Sequence, residues 1–349
     1  AQYLSRHPIL LDELLDHREF AVAPDWPALK LRLQHDLQQT DGDVERQWDQ
    51  LRHFKQAQMF QLIAQDVAGQ LALEKLSDHL SDLADCILDI ALGGAWGVLR
   101  AAHCESPQFC VIAYGKLGGK ELGYGSDLDI IFLYDDEHPE AAENYARLAQ
   151  RLNSWLTTYT PSGVLYETDL RLRPDGASGL LVSSIQAFEE YQRRHAWLWE
   201  HQALTRARFS VGNVRVGRIF ERIRCDVLRQ TRQSSMLRDE VIKMRDKMRQ
   251  GHPIPSDRFD VKHSLGGLVD IEFIVQYLVL GYADRYAELT DNVGNIALLG
   301  RCAARGLIAP DLALQVADAY RELRRMQHRA WLDGLGDARV AFERAESFA

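Results

Sequence analysis

The sequence predicts an α+β protein that is mostly helical, with a small mixed sheet between two helical regions. Near both ends of the chain, apolar residues step by three and four positions, which is helical spacing. The centre instead holds three short runs that favour β-structure, at 109–114, 127–134 and 164–173. A length of 349 residues suits about two or three domains. We therefore expect an N-terminal helical region over 1–100, a central module over 101–210 and a C-terminal helical domain or bundle over 211–349.

The first hundred residues predict several helices joined by short turns. Pro24, Pro27 and the run Thr40-Asp41-Gly42-Asp43 interrupt the pattern, as turn residues do. From Leu51 to about Gly93 the spacing predicts a helix packed along one apolar seam. The seam comprises Leu73, Leu76, Leu80, Leu83, Ile87 and Ile90.

The central runs predict strands separated by helical segments. The first strand, Phe109 to Tyr114, leads into the glycine turn Gly115-Lys116-Leu117-Gly118-Gly119. A second strand is expected over Asp127 to Tyr134 and a third over Val164 to Arg173, with a helix at about 141–159 between them. The predicted order is strand, short helix, strand, helix, strand.

After about Ser210 the helical spacing returns. Helices are predicted at 236–248 and 271–280, and another after Pro310-Asp311, a pair typical of a helix start. Asp270 and Glu272 lie two positions apart at the start of one of these helices. Side chains at that spacing do not face together, so these two acids are not expected to chelate one ion.

Composition and charge exclude several classes of protein. Hydrophobic residues make up 46% and charged residues 26%, which excludes collagen-like, disordered and disulfide-scaffold chains. The net charge of −9 disfavours a nucleic-acid partner. No apolar run approaches the roughly 20 residues that cross a bilayer, so no membrane partner is expected. The five cysteines are scattered without a C-x-x-C pair, which predicts a reducing, cytoplasmic compartment.

Two acids in the second predicted strand are the first candidate site residues. Because side chains alternate along a strand, Asp127 and Asp129 project from the same face. Neighbouring carboxylates repel each other unless a cation lies between them, and such oxygen ligands suit Mg²⁺, with Mn²⁺ as the alternative. Taken alone, the pattern also fits an exposed acidic strand start.

The third predicted strand adds further charges. Its alternation places Asp169, Arg171 and Arg173 on one face. If that face adjoins the first two acids, Asp169 supplies a third carboxylate and the arginines supply phosphate-binding guanidinium groups. Three acids and two arginines suit a metal–triphosphate complex with two Mg²⁺ ions. A surface lattice of salt bridges is the alternative for the arginines.

The glycine turn is a candidate phosphate site. The small residues Gly115, Gly118 and Gly119, with Lys116, let backbone N–H groups approach phosphate oxygens at a helix start. The turn is not a P-loop, because Lys116 is followed by Leu117 rather than by Ser or Thr. Ordinary turn chemistry is the alternative.

Together these motifs resemble the polymerase-β nucleotidyltransferase superfamily. A strand, a glycine turn, about ten residues and then Gly125-Ser126-Asp127-Leu128-Asp129 precede an acid on a later strand. Within that superfamily, residues 115–129 are similar to the glutamine synthetase adenylyltransferase family, whose members carry a nucleotidyltransferase module in each half. The similarity covers practically the whole chain. It extends to Asp169-Leu170-Arg171-Leu172-Arg173-Pro174, Trp199-Glu200-His201-Gln202-Ala203-Leu204 and Gly266-Gly267-Leu268-Val269-Asp270-Ile271-Glu272-Phe273.

The opening of the chain indicates which half it resembles. Residues Ser5 to Leu15 look like the start of the C-terminal, adenylylating half, and Gly123-Tyr124-Gly125 before Ser126 favours the same half. The chain is therefore expected to be the second half of a longer parent. The resemblance implies a polymerase-β-like module that transfers AMP from ATP to a tyrosine hydroxyl of glutamine synthetase and releases pyrophosphate.

The resemblance also implies residue roles, cofactors and partners. Asp127 and Asp129 would hold both Mg²⁺ ions and the triphosphate, while Asp169 would ligate the catalytic metal or accept the tyrosine proton. Ser126, the glycine turn and the two arginines would bind the nucleotide. A PII-type signalling protein and glutamine are implied as effectors. Two alternatives stay open: phosphorolytic removal of AMP from the same tyrosine, and a catalytically silent regulatory module.

Overall fold

The structure, a computed structural model, describes residues 23–40, 42–99, 102–255, 257–335 and 338–341. It is mostly helical with a small mixed sheet, which confirms the predicted fold class. The opening segment Ser5 to Leu15 lies outside the described residues.

Three helices precede the sheet in the described part of the chain: α1 (Trp26–Gln38), α2 (Val44–Val67) and α3 (Leu73–Gly97). Asp25 caps α1, since its side chain accepts a hydrogen bond from the amide of Ala28 at 3.1 Å. The stretch predicted as one helix from Leu51 is two helices. Gly69 adopts a left-handed conformation (φ 71°) just after α2, which ends that helix before the predicted seam begins in α3.

The central strand of the sheet is β1 (Phe109–Ala113). It pairs antiparallel with β2 (Leu128–Tyr134) on one side and with β5 (Arg208–Gly212) on the other. The short strands β3 (Thr168–Asp169) and β4 (Val182–Ser184) both pair parallel with β2. The one-turn helix α4 (Gly115–Gly118) follows β1, and α5 (Ala141–Thr157) follows β2. The predicted order of these elements is confirmed.

The third strand is much shorter than the predicted 164–173. The amides of Leu165 and Tyr166 donate to the carbonyl of Leu156 at the end of α5, so the strand begins only at Thr168. After Asp169 the guanidinium of Arg173 donates to carbonyl oxygens in the following turn, which ends the strand. The predicted alternation was therefore wrong beyond Asp169.

The remaining helices confirm the return of helical structure after the central module. The helices predicted at 236–248 and 271–280 lie within α9 (Ser234–Gln250) and α10 (Leu268–Tyr282), and Pro310 is the first residue of α12 (Pro310–Leu332). The strands β6 (Arg258–Asp260) and β7 (Arg339–Ala341) form a separate antiparallel ribbon. The helices are α6 (Ile185–Arg194), α7 (Leu198–Leu204), α8 (Val214–Leu228), α9 (Ser234–Gln250), α10 (Leu268–Tyr282), α11 (Asn295–Ala304) and α12 (Pro310–Leu332).

Alternate side chains of β1 enter two different hydrophobic cores. Phe109 and Val111 pack in the core that includes α3 and α5, whereas Cys110 and Ile112 pack with α6 and α8. Because both faces of β1 are covered, all five of its residues are apolar and buried. A third core lies among α10, α11 and α12. Packing crosses both expected domain boundaries, near residues 100 and 210, and those boundaries stay predictions.

Two further observations concern the cysteines and the helices. All five cysteines are described and are free thiols. None of the described helices combines the length and the apolar character that crossing a bilayer requires.

Truncating Leu83 should strongly destabilise the fold. This α3 side chain is fully buried in the core between the N-terminal helices and the sheet. We expect Leu83→Ala to lower the free energy of unfolding by about 2–5 kcal/mol, measured by urea titration with circular dichroism. Leu31→Ala is the matched control, because the Leu31 side chain on α1 is 68% exposed. This variant should change the free energy of unfolding by about 0.5 kcal/mol or less. Equal losses in both variants would contradict the described core.

Candidate active site

Three carboxylates meet at one edge of the sheet. Asp127 directly precedes β2, Asp129 is the second residue of β2, and Asp169 ends β3. The parallel pairing of the two strands places Asp169 beside Asp129. One carboxylate oxygen from each acid lies within 4.8 Å of those from the other two. The structure thus brings together the three acids that the sequence analysis selected.

The mutual repulsion of these acids is visible in the pKa of Asp129. Burial, followed by the charges of Asp127 and Asp169, raises this pKa to about 6. The nearby cations Arg206 and Lys116 lower it by less. Three hard oxygen donors from the exposed Asp127 and the half-buried Asp129 and Asp169 fit a divalent cation such as Mg²⁺. The residues present are therefore suited to the metal that the resemblance implied.

Arg171 pairs with Asp169 instead of projecting from a strand. Its Nε lies 3.0 and 2.9 Å from the two carboxylate oxygens of Asp169, and its backbone amide donates to one of them at 2.8 Å. These hydrogen bonds from Arg171 lower the pKa of Asp169. The Arg171 side chain is 78% exposed, so it can move away from Asp169 without disturbing a core. A cation at the acid cluster would compete with Arg171 for the same oxygens.

Arg173 has a different environment from the one expected. Its guanidinium donates to the carbonyl oxygens of Leu170, Ala177 and Gly179 at 2.7, 3.0 and 3.2 Å. These bonds fix the turn that follows β3. The contacts of Arg173 are thus accounted for by the protein backbone.

Gly115 allows the glycine turn to approach the acids. Its φ is +55°, and a Cβ at this position would lie 2.1 Å from Oδ2 of Asp129. Both facts require glycine. The next residue, Lys116, places its Nζ 3.3 Å from Oε1 of Gln327 on α12. Burial, with Arg324 and Lys262 nearby, lowers the pKa of Lys116 to about 8.

Gly118 and Gly119 allow Arg206 to pack closely against the glycine turn. Their amides donate to the carbonyl oxygens of Tyr114 and Gly115 at 2.8 and 3.0 Å. A Cβ on Gly118 would lie 1.9 Å from the carbonyl oxygen of Arg206. A Cβ on Gly119 would lie 3.0 Å from Nε of the Arg206 side chain. Close approach of Arg206 therefore explains both glycines without a phosphate.

Ser126 closes the loop that leads to the acids. Its Oγ accepts a hydrogen bond from the amide of Gly123 at 3.0 Å. This bond fixes the segment Gly123–Ser126 immediately before Asp127.

A buried ion network behind the glycine turn was missed by the sequence analysis. Arg206 is 8% exposed and pairs with Glu121 at 2.6 Å and with Glu272 at 2.7 Å. The hydroxyl of Tyr320 on α12 donates to Glu121 at 2.9 Å. The network therefore joins the sheet module to α10 and α12.

The sequence contained a signal for this network. Glu121 and Glu272 lie inside segments that carry the family resemblance, and Arg206 lies two residues after another such segment. Asp270 pairs with Arg245, whereas Glu272 pairs with Arg206, so the two acids have separate partners.

Three clustered acids at the edge of a small mixed sheet, beside a glycine turn, define a polymerase-β-type nucleotidyltransferase module. Comparison with known proteins narrows this class. The family model described as glutamate-ammonia ligase adenylyltransferase matches residues 1–223, and the chain belongs to that family. A second model, described as PII-uridylyltransferase, matches residues 236–333.

Similar proteins come from several bacteria. The chain is 58% identical over 335 residues to a protein of Aromatoleum aromaticum and 56% identical over 338 residues to one of Nitrosomonas europaea, with 96% of this chain covered in both alignments. Both relatives are named bifunctional glutamine synthetase adenylyltransferase/adenylyl-removing enzyme. The chain spans 36% of the length of each of these curated relatives.

Adding a methyl group at Gly115 should disrupt the acid cluster. Gly115→Ala introduces a Cβ that overlaps the Asp129 carboxylate, so we expect Mn²⁺ affinity to fall at least about tenfold in isothermal titration calorimetry. Gly93→Ala is the control, because a Cβ at this position in α3 meets nothing within 4 Å. Unchanged Mn²⁺ affinity in a folded Gly115→Ala protein would refute this account of the site.

The raised pKa of Asp129, caused by burial and by the neighbouring carboxylates, predicts a pH-dependent stability. Because folding raises this pKa from 3.8 to about 6, the ionised group destabilises the folded state above about pH 6 and has no such effect below about pH 4. Without divalent cations, Asp129→Asn should exceed the parent in free energy of unfolding by about 1–3 kcal/mol near pH 7. The difference should vanish near pH 4. Urea titrations at both pH values test this, and a difference that is independent of pH would exclude the electrostatic explanation.

Proposed function

We propose that the chain transfers AMP from ATP to a tyrosine hydroxyl of glutamine synthetase and releases pyrophosphate. The observation that carries this proposal is the cluster of Asp127, Asp129 and Asp169, in which burial and the two neighbouring carboxylates raise the pKa of Asp129 to about 6. Family membership and the names of the relatives support glutamine synthetase as the protein substrate.

The three acids would hold the metal. We propose two Mg²⁺ ions, with Mn²⁺ as the alternative metal. When bound, these ions would neutralise the triphosphate and make the attacking tyrosine hydroxyl more acidic. Asp127 and Asp129 are proposed to ligate the metal and orient the triphosphate. For Asp169 we favour ligation over proton acceptance, because hydrogen bonding to Arg171 lowers its pKa and a group of lowered pKa is a weaker base.

Cations near the acids would bind the phosphates. The proposed nucleotide ligands are Lys116, which directly follows Gly115 beside Asp129, and Arg171, which is exposed and able to move from Asp169 to a phosphate. The Ser126 oxygen accepts from Gly123, which leaves its hydroxyl proton free to donate. Gly115 keeps its proposed place at the phosphates, while Gly118, Gly119 and Arg173 would act through packing and turn formation.

Phosphorolytic removal of AMP is the second candidate. The relatives are named for both reactions, and the same acids would serve either direction. The segment Gly123-Tyr124-Gly125 before Ser126 resembles the adenylylating half, which favours transfer to the tyrosine. A silent regulatory module is disfavoured, since three mutually repelling acids are kept together. A PII-type protein and glutamine remain proposed effectors.

Labelled ATP tests the proposal. The chain, Mg²⁺ and unmodified glutamine synthetase are incubated with ATP labelled at the α-phosphate, and label on the synthetase is measured. We expect the parent chain to transfer label and the Asp127→Asn, Asp129→Asn double variant to lose at least about a thousandfold in rate, because the metal ligands are removed. Glu137→Gln, at an exposed acid after β2, is the control and should retain the parent rate.

The reverse reaction is measured beside it. Adenylylated synthetase and inorganic phosphate are supplied, and formation of ADP is followed. Formation of ADP without any labelling of unmodified synthetase would replace the proposed direction by its phosphorolytic alternative.

A further inference from the structure

A cavity of about 380 Å³ lies between the loop Gly123–Ser126 and the end of α12. Lys116 and Ser126 line this cavity, and they are the chain neighbours of Gly115 and Asp127. The charge of Lys116 acts on Asp129, so this part of the lining lies near the acids. Its volume lies in the range of small-molecule sites, roughly 300–1,000 Å³. The cavity is therefore placed to receive the part of a substrate that extends away from the acid cluster.

Aromatic rings form one wall of this cavity. The ring of Tyr124 lies 4.8 Å from that of His328 and 5.4 Å from that of Trp331, measured between centroids. The indole of Trp331 packs directly on the backbone of Gly125, where a Cβ would lie 2.4 Å from two of its ring atoms. Trp331 is nevertheless 43% exposed. The indole thus has a fixed position and a surface that is free to contact a flat ligand.

An unpartnered imidazole lies in the same wall. His328 is only 4% exposed, and its Nε2 has no hydrogen-bond partner among the described residues. Burial, with Arg324 and Lys116 nearby, lowers the pKa of His328 to about 3, so the ring is neutral at physiological pH. This nitrogen is therefore available to hydrogen-bond a ligand or water in the cavity.

The charge of the cavity suits an anion. Its lining contains the cations Lys116, Lys262 and Arg339 and the single carboxylate Asp260. Asp260 is already paired with Arg339 at 3.1 Å and accepts from two backbone amides. Lys116 and Lys262 are left to bind phosphate oxygens.

We propose that this cavity binds the nucleoside end of ATP, with the adenine base against the Trp331 indole and the triphosphate directed past Lys116 and Ser126 to the acids. An aromatic wall combined with cations matches a nucleotide, since bases stack on aromatic side chains and phosphates pair with cations. This inference rests on the proposed function. It adds the residues that recognise the base, which lie on α12 more than 200 positions after the glycine turn.

A comparison of two ligands tests the inference. Binding of MgATP and of magnesium tripolyphosphate, which has no nucleoside, is measured by equilibrium dialysis with the full chain. We expect Trp331→Ala to weaken ATP binding about tenfold, within the range of base–aromatic stacking, and to change tripolyphosphate binding less than about twofold. Trp331→Phe keeps a flat ring and should retain most of the ATP affinity.

Two control variants complete the experiment. Trp197→Ala removes another tryptophan, 71% exposed at the start of α7, and should affect neither ligand. The Asp127→Asn, Asp129→Asn variant should weaken both ligands, because both carry the triphosphate and its metal.

The outcomes separate the inference from the proposed function. If the parent binds ATP and Trp331→Ala binds it equally well, the cavity does not hold the nucleoside and the proposed function survives. Equal weakening of both ligands by Trp331→Ala would also overturn the inference, since Trp331 would then act through the loop before Asp127. A raised KM for glutamine synthetase with unchanged ATP binding would assign the cavity to the acceptor protein. Failure of the parent to bind ATP at all would overturn both proposals.

Discussion

The repulsion among three carboxylates at one sheet edge is the constraint on which the site depends. Asp129 is held beside Asp127 and Asp169 although burial, together with their charges, raises its pKa to about 6. Strand pairing maintains this arrangement, because β2 is packed on both faces and its register with β3 is set by the backbone. Gly115 lies beside the acids because it has no side chain that would overlap Asp129. Arg171 pairs with Asp169 and neutralises its charge.

The buried ion network around Arg206 connects this edge of the sheet to the C-terminal helices. Arg206 is buried between Glu121 and Glu272, and Tyr320 extends the network to α12. A buried charge that loses its partner is strongly destabilising, so these residues act as a unit. Arg206 also packs against Gly118 and Gly119, which couples the shape of the glycine turn to the position of α10 and α12.

The cavity combines residues from the two parts of the chain that match different families. Lys116 and Ser126 belong to the part that matches the adenylyltransferase model, whereas His328 and Trp331 belong to the part that matches the uridylyltransferase model. A ligand in the cavity would contact both. The reactive acids and the surfaces that recognise the substrate would then be supplied by separate segments, joined by the buried ion network.

The sequence by itself determined the features that depend on local patterns. Alternation along the predicted second strand placed Asp127 and Asp129 on one face, helical spacing located α3 and α12, and the motif around Gly115 indicated the family. Each of these signals involves residues close together in the chain. Tertiary structure decided the rest. The third strand ended at Asp169 because Arg173 bonds to the following turn, and the pairing of β3 with β2 was needed to complete the acid cluster. Helical periodicity shows which face of α12 is buried but not which loop it contacts, so Trp331 could be placed against Gly125 only in the folded chain.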